Sequence, residues 1–172
     1  MITEKVNNEK EAKQQAAQYL TDIERQFIDH EVSLVPHKSA AVIEALKIVQ
    51  HQRGWISDDS VNAIAAYLQM SPAEVDSVAT FYNLIFRKPV GRHMILVCDS
   101  ISCYVMKYGD IYKALQEKLH IKFGETTSDQ RFTLLPNCCL GCCDHAPAFM
   151  IDNDLYKDLT VDMLDRILKQ YT

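Results

Sequence analysis

The chain has 172 residues, 48% apolar and 24% charged, which predicts a folded protein with one domain or two small ones. Its formal net charge of −5, without a local cluster of lysine and arginine, argues against a nucleic-acid-binding surface. No apolar run reaches the ~20 residues of a membrane span, and the first residues lack a secretory signal. We therefore predict a cytoplasmic chain without direct membrane insertion.

The first half of the chain shows helical periodicity. Residues 1–17 are polar, and we expect a flexible N-terminus there. Residues 18–88 predict helices joined by short loops, as in a small helical bundle. The apolar face of the first helix is predicted from residues at helical spacing, which are Tyr19, Ile23, Phe27 and Ile28. The second helix, over residues 40–52, is predicted to end at Gly54.

Start signals define the next two helices of this half. Ser57 or Asp59 can cap a third helix that continues through Leu68. A capping box begins at Ser71, with proline at the first helical position, and opens a fourth helix towards Tyr82. The first half is therefore predicted to be entirely helical.

The pattern changes in the second half, residues 89–172. Short apolar runs predict strands over residues 93–97, 131–135 and 148–151, with a turn at 152–153 into 155–156. Pro136 is expected to stop the second strand. Helices are predicted over residues 103–119 and after Thr160. This order is typical of a thioredoxin-like α/β domain, so the predicted fold class is α+β, a helical bundle followed by that domain.

The chain has six cysteines, which all lie between Cys98 and Cys143. Because cytoplasmic thiols are kept reduced, short spacings between cysteines indicate metal or redox chemistry rather than a disulfide framework. Cys98 and Cys103 form C-x4-C where a strand ends and a helix begins. The other four follow the second strand and are Cys138, Cys139, Cys142 and Cys143.

Several kinds of site fit these cysteines. Four thiolates can hold an iron–sulfur cluster, whose negative charge requires nearby N–H donors such as the backbone at Gly141. A tetrahedral thiolate site can equally bind zinc. Cys139 and Cys142 form C-x-x-C, which is also typical of a redox dithiol. Two C-x3-C registers are available, Cys138 with Cys142 or Cys139 with Cys143, so spacing alone leaves the ligands open.

Nucleotide-binding fingerprints are missing from the sequence. It contains neither G-x-G-x-x-G nor a phosphate-binding loop, and only five glycines. We therefore expect this chain to bind neither NADH nor flavin by itself.

Ordered motifs over residues 18–172 carry a resemblance to a known family. They are Gln52-Arg53-Gly54-Trp55, Val78-Ala79-Thr80-Phe81-Tyr82, Pro89-Val90-Gly91-Arg92-His93, Cys98-x4-Cys103, and Cys139-Leu140-Gly141-Cys142-Cys143 followed by Ala146-Pro147. With these motifs the chain resembles the E subunits of bacterial NADH:quinone oxidoreductase, a family that includes the 24-kDa subunit of respiratory complex I.

The resemblance implies one [2Fe-2S] cluster in a thioredoxin-like ferredoxin domain. The ligands that it implies are Cys98, Cys103, Cys139 and Cys143. Cys142 then occupies the variable position of the family pattern, and Cys138 precedes that pattern. Both are expected to be packed or weakly exposed thiols.

The resemblance also implies an electron-transfer role inside a translocating oxidoreductase. The helical domain would dock on the flavin-bearing F subunit, which holds FMN and oxidises NADH, in the peripheral arm of complex I at the cytoplasmic face of the inner membrane. The cluster would exchange single electrons with that flavin. The alternatives are the equivalent subunit of an NAD-linked hydrogenase or formate dehydrogenase, and a stand-alone thiol–disulfide or zinc-binding module.

Overall fold

The computed structural model describes residues 18–172, so the prediction of a flexible N-terminus over residues 1–17 lies outside the described residues. The chain divides into two compact units, with the boundary between Pro89 and Val90. None of the helices in the described part of the chain is long and apolar enough to cross a bilayer.

The first unit is helical wherever it forms regular structure. Its α-helices are α1 (Asp22–Ser33), α2 (Val42–Arg53), α3 (Asp58–Leu68) and α4 (Pro72–Phe81). A 3-10 turn, Lys38–Ala41, leads into α2. The core between them is formed by small and branched side chains. Its largest fully buried side chains are Leu20, Ile28, Leu46, Ile56, Ile64 and Leu68.

The helix boundaries of this unit follow the predicted local chemistry. The Ser57 hydroxyl accepts the backbone N–H of Ser60 at 3.1 Å, and Ser71 forms the predicted capping box with Glu74. Gly54 ends α2 in the left-handed conformation, with φ of 83°. The predicted third and fourth helix starts and the end of the second helix are therefore confirmed.

The predicted apolar face of the first helix is wrong for most of its residues. Of that face only Ile28 is buried, whereas Tyr19, Ile23 and Phe27 are each at least 46% exposed. Glu24 is fully buried and lies one helical turn before Ile28. The physical reason is an ion pair between Glu24 and Arg53 of α2, which places a charged residue on the inner face of α1.

The second unit is built on a four-stranded mixed sheet in the order β2-β1-β3-β4. The strands are β1 (His93–Cys98), β2 (Phe132–Asn137), β3 (Phe149–Ile151) and β4 (Asp154–Tyr156). β1 pairs with β2 in parallel and with β3 antiparallel, and β3 pairs with β4 across the predicted turn. Because β1 and β2 are parallel, their carboxyl ends lie at the same edge of the sheet.

β2 continues through Pro136 to Asn137, so the prediction that Pro136 stops this strand is wrong. β2 is an edge strand, and a proline is tolerated there when its missing N–H faces away from the neighbouring strand. Pro136 pairs with Val97, and Asn137 pairs with Cys98. The extra length carries the chain to the level of Cys98 before the loop with the other cysteines begins.

The helix predicted over residues 103–119 is two helices, α5 (Ile101–Val105) and α6 (Tyr108–Leu119). The break lies at Lys107, which has a left-handed backbone with φ of 66°. The break lets the two helices pack differently. The helix α5 holds Cys103 inward, whereas α6 packs its apolar stripe on the sheet.

The last helix also starts differently from the prediction. A 3-10 turn, Val161–Met163, precedes α7 (Leu164–Leu168), and Thr160 makes no side-chain capping hydrogen bond to the backbone. The core of this unit lies between the sheet, α6 and α7. Its largest fully buried residues are Ile95, Leu115, Phe132, Leu134, Phe149 and Ile151.

Candidate metal centre

Two cysteines meet where β1 ends and α5 begins. Cys98 is the last residue of β1, Cys103 lies inside α5, and each is only 2% exposed. They pack together with Ala146 in a small apolar cluster. Burial raises the pKa of Cys103 to about 11, and the neighbouring Cys98 thiol adds to this shift. The Cys103 thiol is therefore protonated near neutral pH unless a metal replaces the proton.

A second pair lies in the loop after β2. The sulfurs of Cys139 and Cys143 are 3.8 Å apart, and both residues are exposed. A disulfide would bring the sulfurs to about 2.05 Å. Two thiolates on one tetrahedral metal, with metal–sulfur bonds of about 2.3 Å, are separated by about 3.8 Å. The spacing of this pair therefore fits two ligands of the same metal ion.

Backbone amides point at sulfurs in both pairs. The Gly141 N–H donates to Cys139 Sγ over 3.3 Å, from a residue whose φ is 77°. The Ala148 backbone N–H acts on Cys103 in the direction that lowers its pKa, against the larger effect of burial. Such N–H donors favour thiolate and stabilise the negative charge of a thiolate-bound metal centre.

Asn137 fixes the start of the cysteine loop, and sequence reasoning missed this residue. Its side-chain amide donates to the Cys139 carbonyl at 3.1 Å, while its own carbonyl accepts the Asp99 N–H at 3.1 Å. The side chain is almost fully buried. No local signal in the sequence predicts this bond, because an asparagine side chain that bonds the backbone two residues on in a turn normally accepts an N–H, whereas Asn137 is the last residue of β2 and donates its amide.

The remaining polar groups near the loop have other positions. Cys138 is exposed and Cys142 is buried, and burial raises the pKa of Cys142. The His145 ring contacts Asp158, with 2.8 Å between Nδ1 and Oδ2. This histidine is therefore engaged by a carboxylate on the surface.

Within residues 18–172 no three cysteine, histidine or acidic side chains converge closely enough to hold a single metal ion. The four predicted ligands instead come together as two pairs, Cys98 with Cys103 and Cys139 with Cys143. The sulfur contact of the loop joins Cys139 to Cys143, whereas a redox dithiol would require Cys139 and Cys142.

Comparison with known proteins identifies the family. Residues 28–172 match the model of the thioredoxin-like [2Fe-2S] ferredoxin family. The E subunit of NADH-quinone oxidoreductase from Escherichia coli (strain K12) is 49% identical over 164 residues, covering 95% of this chain and 99% of that protein. The chain belongs to the family of NADH-quinone oxidoreductase E subunits. The E subunit of Pseudomonas aeruginosa is likewise 49% identical, over 88% of this chain and 92% of that protein.

A solved structure has a similar fold, although its sequence identity to this chain is low. A chain of an NAD+-reducing [NiFe]-hydrogenase in the H2-reduced state superposes with a TM-score of 0.64 and 22% identity. The match covers 75% of this chain and 22% of the hydrogenase chain, so this protein corresponds to a small part of that longer chain. This likeness supports the α+β architecture, with the helices preceding the thioredoxin-like sheet.

Proposed function

We propose that this chain is the electron-transfer subunit of an NADH-quinone oxidoreductase and carries one [2Fe-2S] cluster. The proposed ligands are Cys98, Cys103, Cys139 and Cys143. The observation that carries the proposal is the arrangement of these thiols in two pairs, in a chain that belongs to the family of E subunits. A binuclear cluster needs two thiolates on each iron, which is what two pairs supply.

The two pairs have different environments and therefore different tasks. Cys98 and Cys103 are held by a strand end and a helix inside the unit, so they anchor one iron in a rigid, apolar setting. Cys139 and Cys143 lie at the surface, on a loop tied down by Asn137. They would bind the other iron where a redox partner can approach it.

The chemistry of the bound cluster is the transfer of one electron at a time, which suits exchange with a flavin that accepts electron pairs from NADH. This chain contributes the thiolates, the backbone N–H of Gly141 that favours their charge, and exclusion of water at Cys98 and Cys103. FMN and NADH are proposed to bind to the partner, the F subunit of the complex.

The helical unit is proposed to dock on that flavin-bearing partner. Its first helix exposes Ile23 and Phe27. Tyr19 before the helix and Leu34 directly after it are exposed as well, and the exposures of the four side chains run from 46% to 66%. Phe27 also lines an open groove of about 390 Å³, together with Lys47, Ile48, His51 and Gln52. Aligned exposed apolar side chains are typical of a surface that a partner covers. We place the assembled chain in the peripheral arm of the complex, on the cytoplasmic side of the membrane.

An electron-exchange experiment tests this function. The chain is purified without oxygen, reduced with dithionite, freed of excess reductant and mixed with the oxidised flavin-bearing partner. The visible absorption of the oxidised cluster should return while the flavin absorption falls. A reduced cluster that persists in a mixture whose two proteins co-elute would contradict an electron-transfer role. The matched control is the reduced chain alone, kept under the same conditions without the partner, whose cluster should stay reduced.

A further inference from the structure

Asn137 connects the two cysteine pairs of the candidate site. Its backbone lies in β2, in register with Cys98 of β1, and its carbonyl accepts the Asp99 N–H at 3.1 Å. Its side-chain amide donates to the Cys139 carbonyl at 3.1 Å. The residue is only 9% exposed, so its amide is largely withdrawn from water and needs partners inside the protein. One side chain therefore ties the loop of the surface pair to the strand that ends at Cys98.

The bond from Asn137 fixes a peptide group of the loop. The Cys139 carbonyl belongs to the peptide that joins Cys139 to Leu140, and because a peptide group is planar, a hydrogen bond on its oxygen restricts the rotation of the whole group. The Gly141 N–H lies one peptide further along the chain and donates to Cys139 Sγ over 3.3 Å. The direction of this N–H therefore depends on the peptide that Asn137 holds.

A second contact docks the loop without directing this N–H. The Leu140 side chain packs against the small buried cluster that contains Cys103. At Gly141 the space beside the Cα is open, since an added Cβ would meet no atom within 4 Å. Loss of the Asn137 bond should therefore leave the loop docked through Leu140 and change the orientation of the Gly141 N–H.

We propose that Asn137 is a positioning residue that aims the Gly141 N–H at the Cys139 sulfur and so raises the reduction potential of the bound cluster. The inference rests on the proposed function, with Cys139 as a ligand. Reduction makes the cluster more negative, and an N–H donor to a ligand sulfur stabilises the reduced state more than the oxidised state. Asn137 is not a ligand itself and acts through the backbone of residues 139–141.

Asn137→Leu in the full chain tests the proposal, because leucine keeps the branched shape of asparagine and lacks its N–H donor. In the proton–nitrogen NMR spectrum of the metal-free chain with reduced thiols, the Gly141 amide proton should shift upfield, since it loses its hydrogen bond. In the chain reconstituted with iron and sulfide, a dye-mediated redox titration should give a lower reduction potential than in the unmodified chain. Iron should also be held about tenfold more weakly against a competing chelator.

Asn62→Leu is the matched control, because it makes the same substitution at an exposed residue of α3 and should leave every readout unchanged. Circular dichroism checks folding, and Asn137→Ala repeats the comparison if Asn137→Leu unfolds the chain. An unmoved Gly141 signal, or a reduction potential equal to that of the unmodified chain, overturns the positioning role. An unmodified chain that binds no iron overturns the proposed function, and the Gly141 signal then still decides whether Asn137 directs this N–H.

Discussion

Arg53 of α2 and Glu24 of α1 form a two-point ion pair, with Nε to Oε1 at 2.7 Å and Nη2 to Oε2 at 2.6 Å. Glu24 is fully buried, and Arg53 also donates to the Tyr19 carbonyl at 2.9 Å. The same carboxylate accepts the Thr21 N–H of the capping box at 2.8 Å. One glutamate therefore joins the start of α1 to the end of α2.

Removing one partner of this pair should destabilise the helical unit strongly. Arg53→Met leaves the Glu24 carboxylate buried without its cation, and we expect a loss of about 3 kcal/mol in the free energy of unfolding. The fluorescence of Trp55, next to the end of α2, reports urea unfolding of this unit. The control is Lys47→Met, which breaks the solvent-accessible pair with Glu44 and should cost less than about 1 kcal/mol. Equal losses in the two variants would contradict this account of the pair.

The same pair gives the helical unit a defined pH dependence. Burial acts to raise the pKa of Glu24, but the hydrogen bonds from Arg53 and the Thr21 backbone outweigh it and lower the pKa below its ordinary value. A lowered folded-state pKa contributes stability above the unfolded pKa of about 4.3, and this is lost as pH falls through the folded value. Urea midpoints measured from pH 7 down to pH 3 should fall, and less so in Glu24→Gln. An identical fall in Glu24→Gln would assign the effect to other groups.

Gly91 is expected to be intolerant of a side chain. A Cβ at this position would lie 3.1 Å from the Arg131 carbonyl carbon and oxygen and from the Gln130 oxygen, which are backbone atoms. The Gly91 N–H also donates to the buried Thr133 hydroxyl at 2.6 Å. We expect Gly91→Ala to destabilise the second unit by about 1–3 kcal/mol.

Thermal unfolding followed by circular dichroism measures the effect of Gly91→Ala. The matched control is Gly109→Ala in α6, where an added Cβ meets no atom within 4 Å. Because alanine favours a helix over glycine, the control should be stabilised by roughly 0.5–1 kcal/mol. If Gly91→Ala leaves the unfolding temperature unchanged, the backbone at residue 91 and the backbone at residues 130–131 can move apart without cost, which would contradict this prediction.

The exposed stripe of α1 should matter for assembly rather than for folding. Ile23→Ser/Phe27→Ser removes two exposed apolar side chains, so the unfolding midpoint should change little. Binding to the flavin-bearing partner should weaken by at least about tenfold, since apolar contacts at an interface core carry much of its affinity. Val161→Ser changes an exposed apolar residue of the second unit and serves as control. Unchanged binding of Ile23→Ser/Phe27→Ser would remove α1 from the docking surface.

Local signals in the sequence predict the helix and strand order because each acts within a few residues. The caps at Ser57 and Ser71 and the left-handed Gly54 are of this kind. The buried face of α1 is not predictable in the same way, because it depends on a partner, Arg53, that is 29 residues away from Glu24. An apolar stripe at helical spacing indicates a core-facing surface, yet in α1 most of that stripe is exposed.

The candidate site shows the same division between local and distant information. The positions of Cys98 at a strand end and of Gly141 beside a sulfur follow from short-range patterns. The continuation of β2 through Pro136 depends on its place at the sheet edge, which only the assembled sheet determines. The burial of Cys142 next to an exposed Cys143 likewise results from how the loop packs. Two adjacent cysteines in a sequence do not reveal which of them is buried.

The most direct test of the central claim is the metal content and electronic state of the full chain purified without oxygen. Iron, zinc and acid-labile sulfide are measured per chain, and the EPR spectrum is recorded before and after reduction with dithionite. The account predicts about two irons and two sulfides per chain, with a signal from a single unpaired spin that appears only on reduction. A colourless chain that holds zinc, or no metal after reconstitution, would contradict the cluster and with it the electron-transfer function.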